Sequence, residues 1–218
     1  MEILDYLSDI AVNNNREWFW ENRDRYDCVR KQFEQIVETL INRISQFDPD
    51  IHNVIARDTI FRFYRDTRFS ADKSPYKLNM GAFICKTGKK SPRGGYYIHL
   101  QPGKSMVCGG SWCPDAKLLY QLRLLVFDRI DEYRNIVESP KFSKLFTEIG
   151  FDFLKTMPKG FPKDFAYPQY LKCKGYTCTS YLKDSFFEKG KWMDDIIVRC
   201  KLLKPYLDFI NETIDDYL

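Results

Sequence analysis

Apolar residues recur at helical spacing toward both ends of the chain and at strand spacing between them. Ile3, Leu4, Leu7 and Ile10 share one face of a helix over 3–11. Asn13-Asn14-Asn15 breaks that helix and offers an N-cap for the next. Trp18, Tyr26, Val29, Phe33, Ile36, Val37, Leu40 and Ile44 recur at three and four, which predicts one long helix over roughly 16–46. Asp48-Pro49-Asp50 ends it, and the aromatic run Trp18-Phe19-Trp20 near its start reads as a packing anchor. From residue 51 the texture changes to short β-branched and aromatic runs divided by Gly, Pro and Lys, predicting strands near 53–57, 60–65, 80–85, 95–101 and 104–108. Lys86 to Gly94 is a basic loop between two of them, and Pro102-Gly103 a tight turn.

Helical spacing returns after Pro114, with Leu118, Leu119, Leu122, Leu125, Val126, Ile130 and Tyr133 on one side of a helix ending near Val137. Ser139-Pro140 starts a short helix, with proline at a first-turn position where its missing N–H costs little, and Gly150 closes it. Residues 151–170 read as an ordered loop, Tyr176–Tyr181 as one more strand, and 191–217 as an amphipathic helix that Pro205 should kink or split. Helices, then a strand meander, then helices define an α+β class. The sheet is mostly antiparallel, a meander over about residues 53–108, packed with N- and C-terminal helices in a single domain over 1–218.

Composition narrows this picture only in places. With 218 residues the chain can bury a core without staples. Aromatics at 16% first of all supply that core. Seven cysteines, odd in number and evenly spread, argue for free thiols in a reducing cytosol. The start of the chain has no basic and apolar signal pattern, and no run approaches the length of a membrane span, so no membrane partner is expected. A net charge of +4 is too small to argue for nucleic acid by itself; its distribution matters more.

The lopsided stretch is Ile60 to Lys77. Arg62, Arg65, Arg68, Lys73 and Lys77 face two acids, Asp66 and Asp72, with aromatics between them. On a strand, Arg62, Tyr64, Asp66 and Arg68 share one face and Phe61, Phe63, Thr67 and Phe69 the other. Arg65 falls on the phenylalanine face, so it is either re-aimed by a bulge or turn or buried with a partner. The guanidinium fork matches carboxylate and phosphate bidentately, which makes the cluster a candidate anion site. An internal salt-bridge network, with Asp66 and Asp72 taking arginine partners and the lysines solvated, explains the same residues; the sequence leaves both open. Tyr76 and Lys77 sit on the loop that would close over a ligand. His99 shares a strand face with Tyr97 and Gln101 and would join the cluster if that strand lay beside the arginines, which would then lower its pKa. Cys108-Gly109-Gly110-Ser111 could form a backbone nest for an anion, but two glycines are a weak signal and it reads first as a strand-ending turn. The two C-x4-C pairs, Cys108/Cys113 and Cys173/Cys178, are not expected to hold a metal. No nucleotide-loop, dinucleotide-fold, zincin or serine-hydrolase motif occurs, so no cofactor is indicated.

The run R-x-x-R-D-x-R-F from Arg62, followed by Asp72-Lys73-Ser74-Pro75-Tyr76-Lys77, resembles the signature of an uncharacterised bacterial and fungal family, the domain of unknown function numbered 2461. Asn14-Asn15-Arg16-Glu17-Trp18-Phe19, Gly81-Ala82-Phe83, Gly88-Lys89-Lys90-Ser91-Pro92, Gly95-Tyr96-Tyr97-Ile98-His99 and Pro158-Lys159-Gly160-Phe161-Pro162-Lys163 extend the likeness over nearly the whole chain. Lys104 and Cys108 depart from it, standing where the family more often has glycine. The resemblance implies a fold and a motif, and no reaction.

Two functions follow as expectations. In the first, Arg62, Tyr64, Asp66 and Arg68 floor a site with Arg65, Lys73, Tyr76 and Lys77 at its edge and His99 nearby. This site binds a small phosphorylated or carboxylated anion; in an enzyme, the cations would stabilise developing charge and His99 or Tyr76 would carry the proton. In the second, the basic-aromatic surface binds nucleic acid, preferably single strands, or another protein. No nucleophile stands out, and nothing in the sequence indicates an oligomeric state.

Overall fold

The computed structural model describes residues 1–218. Five strands form one open antiparallel sheet in the order β1-β2-β3-β5-β4. They are β1 (Met80–Ile84), β2 (Gly95–Leu100), β3 (Ser105–Ser111), β4 (Glu148–Phe153) and β5 (Cys173–Leu182). The chain clusters into two compact units. The first takes Met1–Lys89, Tyr97–Val107 and Tyr181–Ile197; the second takes Lys90–Tyr96, Cys108–Ser180 and Val198–Leu218.

In the first unit, α1 (Glu2–Val12) buries Ile3, Leu4, Leu7 and Ile10, as its spacing requires. The predicted long helix is two, α2 (Arg16–Glu21) and α3 (Arg23–Ile44), divided at Asn22. Asn22 leaves helical geometry, and its side-chain amide joins its own N–H on the Trp18 carbonyl, both at 3.0 Å, which closes α2 from the side. Asn15 caps α2 by accepting from the Trp18 N–H at 2.9 Å. The strand expected over 53–57 is instead a helical turn, α4 (Ala56–Thr59). Ile55 is exposed there, so β-branched composition finds no sheet face to pack on. The expected strand 60–65 makes only two isolated bridges, Ile60 to Ala82 and Tyr64 to Tyr76. Its Arg65 N–H reaches the Pro75 carbonyl at 2.9 Å, but Pro75 has no N–H to return the bond, and the ladder stops.

In the second unit, Arg129 divides the helix expected over 114–137 into α5 (Ala116–Asp128) and α6 (Ile130–Val137). After α7 (Pro140–Leu145) comes β4, which the sequence hid inside a loop and behind a helix-closing glycine. Gly150 and Asp152 hold positive φ, the register with β5 shifts between Ile149 and Phe151, and most of this edge strand is exposed, so neither alternation nor an apolar run marks it. A one-turn helix, α8 (Gln169–Lys172), leads into β5. The last helix, α9 (Trp192–Tyr217), runs without a break through Pro205. Burial of Leu203, Tyr206 and Leu207 on both sides of the proline outweighs its lost hydrogen bond. A Cβ at Gly109 would stand 2.8 Å from the Leu203 side chain, so that glycine lets α9 lie close on β3. The meander expected over 53–108 is therefore β1-β2-β3 over 80–111, completed by β5 and β4 from later in the chain.

Candidate functional site

The segment 60–65 and the segment 75–82 lie side by side through Phe61 N–H to Gly81 O, Lys77 N–H to Phe63 O and Arg65 N–H to Pro75 O, each at 2.9 Å. Asn14, in the link between α1 and α2, grips this ribbon from its edge. Its Nδ2 donates to the Tyr76 carbonyl at 3.0 Å and its Oδ1 accepts from the Tyr76 N–H at 3.1 Å. One amide thus satisfies both backbone groups of one residue, as a neighbouring strand would.

The arginines and acids of the loop are largely matched among themselves. Arg65 is held by Asp72, by the Ser74 carbonyl at 3.3 Å and by the Ser70 hydroxyl at 3.4 Å. Asp72 accepts as well from the N–H and hydroxyl of Ser74, and Ser74 first and then Arg65 draw its pKa down to about 2. Arg68 chelates Asp66 through Nε at 3.0 Å and Nη2 at 2.7 Å, which lowers the Asp66 pKa. Lys73 bonds the Thr67 carbonyl at 3.0 Å. The internal network of the two sequence readings is thus present for Arg65, Asp66, Arg68 and Asp72.

Arg62 and Lys77 fall outside it. Arg62 is exposed and meets Asp66, already taken by Arg68, only at 4.0 Å. Lys77 is half-buried, pairs with no carboxylate, and has its ammonium 5.6 Å from the centre of the Phe61 ring. Burial, and then the charge of Arg62, lower its pKa. Lys77 lines a cleft of about 280 Å³ with Arg65, Asp72, Ser74, Tyr76, Asn14 and Asn79. The Asn79 side chain makes no hydrogen bond within the protein.

Tyr76 and Tyr64 part company. The Tyr76 ring is buried, stacked 4.2 Å from Phe19 and 5.8 Å from Phe63, and burial raises its pKa. Tyr64 is 45% exposed and touches the same aromatic core edge-on, 5.9 Å from Phe19. His99 is buried, with Nδ1 2.9 Å from the Tyr97 hydroxyl and Nε2 2.9 Å from Gln101 Oε1. A single neutral tautomer satisfies both bonds, with Nε2–H donating to Gln101 and Nδ1 accepting from Tyr97. Tyr97, His99 and Gln101 do share a face, as alternation requires. No bond joins His99 to the arginines, and burial, not arginine charge, lowers its pKa. Its link to the cleft is indirect, from Tyr97 to the Phe61 ring at 6.1 Å.

Sequence reasoning missed Asn14 and Asn79 as lining residues, and Trp20. Asn14 stands in the motif quoted for the family resemblance, the one signal that marked it. Trp18 and Phe19 anchor packing, but Trp20 is 63% exposed with the Arg23 guanidinium 5.6 Å from its ring. No group of three or more His, Cys, Asp or Glu side chains is arranged to hold a metal ion. No helix is long and apolar enough to cross a membrane.

The fold and the cleft together define an α+β protein with an open antiparallel sheet and a cationic cleft beside its first strand. Residues 2–209 match the family described as a conserved hypothetical protein, DUF2461, and the chain belongs to that family. No curated protein and no solved structure matches it.

Proposed function

We propose that the protein binds a small phosphorylated or carboxylated anion in the cleft lined by Lys77 and Arg65, with Arg62 beside it. The supporting observation is Lys77, a half-buried cation set against a second cation with no carboxylate of its own. Such a pair repels itself, and an anion between them relieves the repulsion and recovers the cost of burying the ammonium. Arg65 and Asp72 shape the wall, and the Arg68–Asp66 chelate stiffens the turn beyond it. Seven free thiols, most of them buried, suit a reducing compartment such as the cytoplasm. The test is thermal unfolding of the wild type and Lys77→Met with phosphate, dicarboxylates and phosphate esters at two salt concentrations. An anion at about 100 times its dissociation constant should stabilise the fold by roughly 2.7 kcal/mol. That shift should survive moderate salt and vanish in Lys77→Met; a shift of equal size in the variant would refute the assignment.

A second reading rests on two exposed rings, each attended by an arginine. Phe69 is 96% exposed with Arg68 5.7 Å from its ring centre, and Trp20 is paired in the same way with Arg23. Rings and guanidinium groups presented so are what a single-stranded nucleic acid stacks on. Oligonucleotide binding that falls steeply with salt and is lost in Phe69→Ala would favour it over the small anion.

A further inference from the structure

We infer that the ligand of the Lys77 cleft is a short phosphorylated polyol or sugar, with its phosphoryl group on Lys77 and its hydroxyls on Asp72 and Asn79. This inference rests on the anion reading above and narrows it. Three features of the cleft bear on the class.

The first is charge. Arg65 and Lys77 against Asp72 leave one positive charge on the lining, and Arg62 beside Lys77 adds a second. A phosphate monoester, with about −1.5 to −2 charges at neutral pH, meets that balance. A zwitterion, with no net charge, does not.

The second is the acceptor in the wall. Asp72 Oδ1 takes the N–H and hydroxyl of Ser74, and Oδ2 takes Arg65. A carboxylate offers about four lone-pair sites, so one on Oδ2 is open. A dicarboxylate has no donor to give it and would face it as a like charge. A hydroxyl fits, because Arg65 already neutralises the carboxylate and an ammonium would have to compete with that pair. Asn79, whose amide is unengaged, supplies a donor and an acceptor for the same kind of partner. The lining therefore offers a cation for an anionic group, and an acceptor and an amide for hydroxyls.

The third is size. About 280 Å³ lies just under the ~300–1,000 Å³ of most ligand pockets, which suits a short chain and leaves little room for a nucleobase.

The experiment is titration calorimetry with inorganic phosphate, glycerol 3-phosphate, ribose 5-phosphate, succinate and AMP, on the wild type, Lys77→Met, Asp72→Asn and Asn79→Ala. A hydroxyl bonded to a carboxylate should make glycerol 3-phosphate or ribose 5-phosphate bind roughly tenfold or more tighter than phosphate. Lys77→Met should abolish binding of both. Asp72→Asn should erase the preference, and Asn79→Ala should reduce it; the latter variant carries the test if the loop fails to order without Asp72. Sugar phosphates no tighter than phosphate, or succinate or AMP binding tighter than either, would overturn the class while leaving an anion site in place. Absence of binding by every anion would overturn the anion site itself.

Discussion

The ring of Tyr76 lies 4.2 Å from that of Phe19, the two planes inclined by 19°, so the tyrosine of the Asp72–Lys77 motif is a core residue. Phe63 and Tyr64 close the same cluster, and Asn14 holds the Tyr76 backbone. Tyr76→Ala should cost about 3–5 kcal/mol, as removal of a large buried aromatic does. Tyr76→Phe keeps the ring and should cost less than about 1.5 kcal/mol. Asn14→Ala leaves the Tyr76 N–H and carbonyl without their partner and should cost about 1–3 kcal/mol. Urea denaturation of the three variants checks the ranking. Tyr76→Phe destabilising as much as Tyr76→Ala would mean that the hydroxyl, and not the ring, is what the fold needs.

Much of this region was legible in the sequence, for a physical reason. Helices α1, α3 and α9 announce themselves because long amphipathic faces repeat the same periodic signal many times. Strand β4 does not, because its exposed side chains and two left-handed residues carry no alternation. Likewise Ile60 to Arg65 has the composition of a strand, yet Pro75 opposite it withholds a donor, and no local rule reports what lies opposite. Alternation put Tyr97, His99 and Gln101 on one face correctly. It could not show that His99 bonds Tyr97 and Gln101 and no arginine, since that depends on which strands are neighbours. The family motif marked residues that sit together; the packing of Tyr76 and the partners of Arg65 became visible only in three dimensions.

Arg65 and Arg68, both matched to aspartates, should respond differently to removal. Arg65 ties three points of the loop together and is mostly shielded. Arg68 chelates a residue two positions away and is largely exposed, where ion pairs contribute little. Arg65→Ala should lower the Tm measurably and speed proteolysis between Thr67 and Ser74. Arg65→Lys should not restore either, because an ammonium cannot reproduce the guanidinium fork. Arg68→Ala should leave the Tm unchanged. Equal effects of the two alanine variants on limited proteolysis would contradict this division.

Burial lowers the pKa of His99 below its ordinary 6.5, so the folded state favours the neutral ring. The unfolded chain takes up its proton as the pH falls through 6.5, while the folded chain resists until a lower pH. Stability from this group is therefore complete above 6.5 and is lost as the pH falls from there toward the folded pKa, below which the loss levels off. Protonation would also break the acceptor bond at Nδ1 from Tyr97. His99→Gln, which cannot titrate, should flatten this part of the stability curve. Urea midpoints across the window, read for both proteins, check it; parallel curves would assign the pH dependence to another group.

Arg123 of α5 is buried without an acid. Its Nη2 donates to the Cys173 carbonyl at 2.9 Å, and its Nε has no acceptor. The ionisable groups beside it are the Cys173 thiol, which burial pushes up to about 11, and the Tyr176 phenol, which burial raises well above its ordinary value, so both stay neutral. An uncompensated guanidinium inside a protein carries a desolvation penalty of several kcal/mol, against about 1.5–3 kcal/mol for the single charge-assisted bond it makes. Arg123→Met fills the same space with a flexible apolar chain and removes the penalty. Its urea midpoint should match or exceed that of the wild type at unchanged slope. A loss of more than about 3 kcal/mol would exceed what one carbonyl bond can account for. The charge of Arg123 would then have to be answered by an anion held beside it.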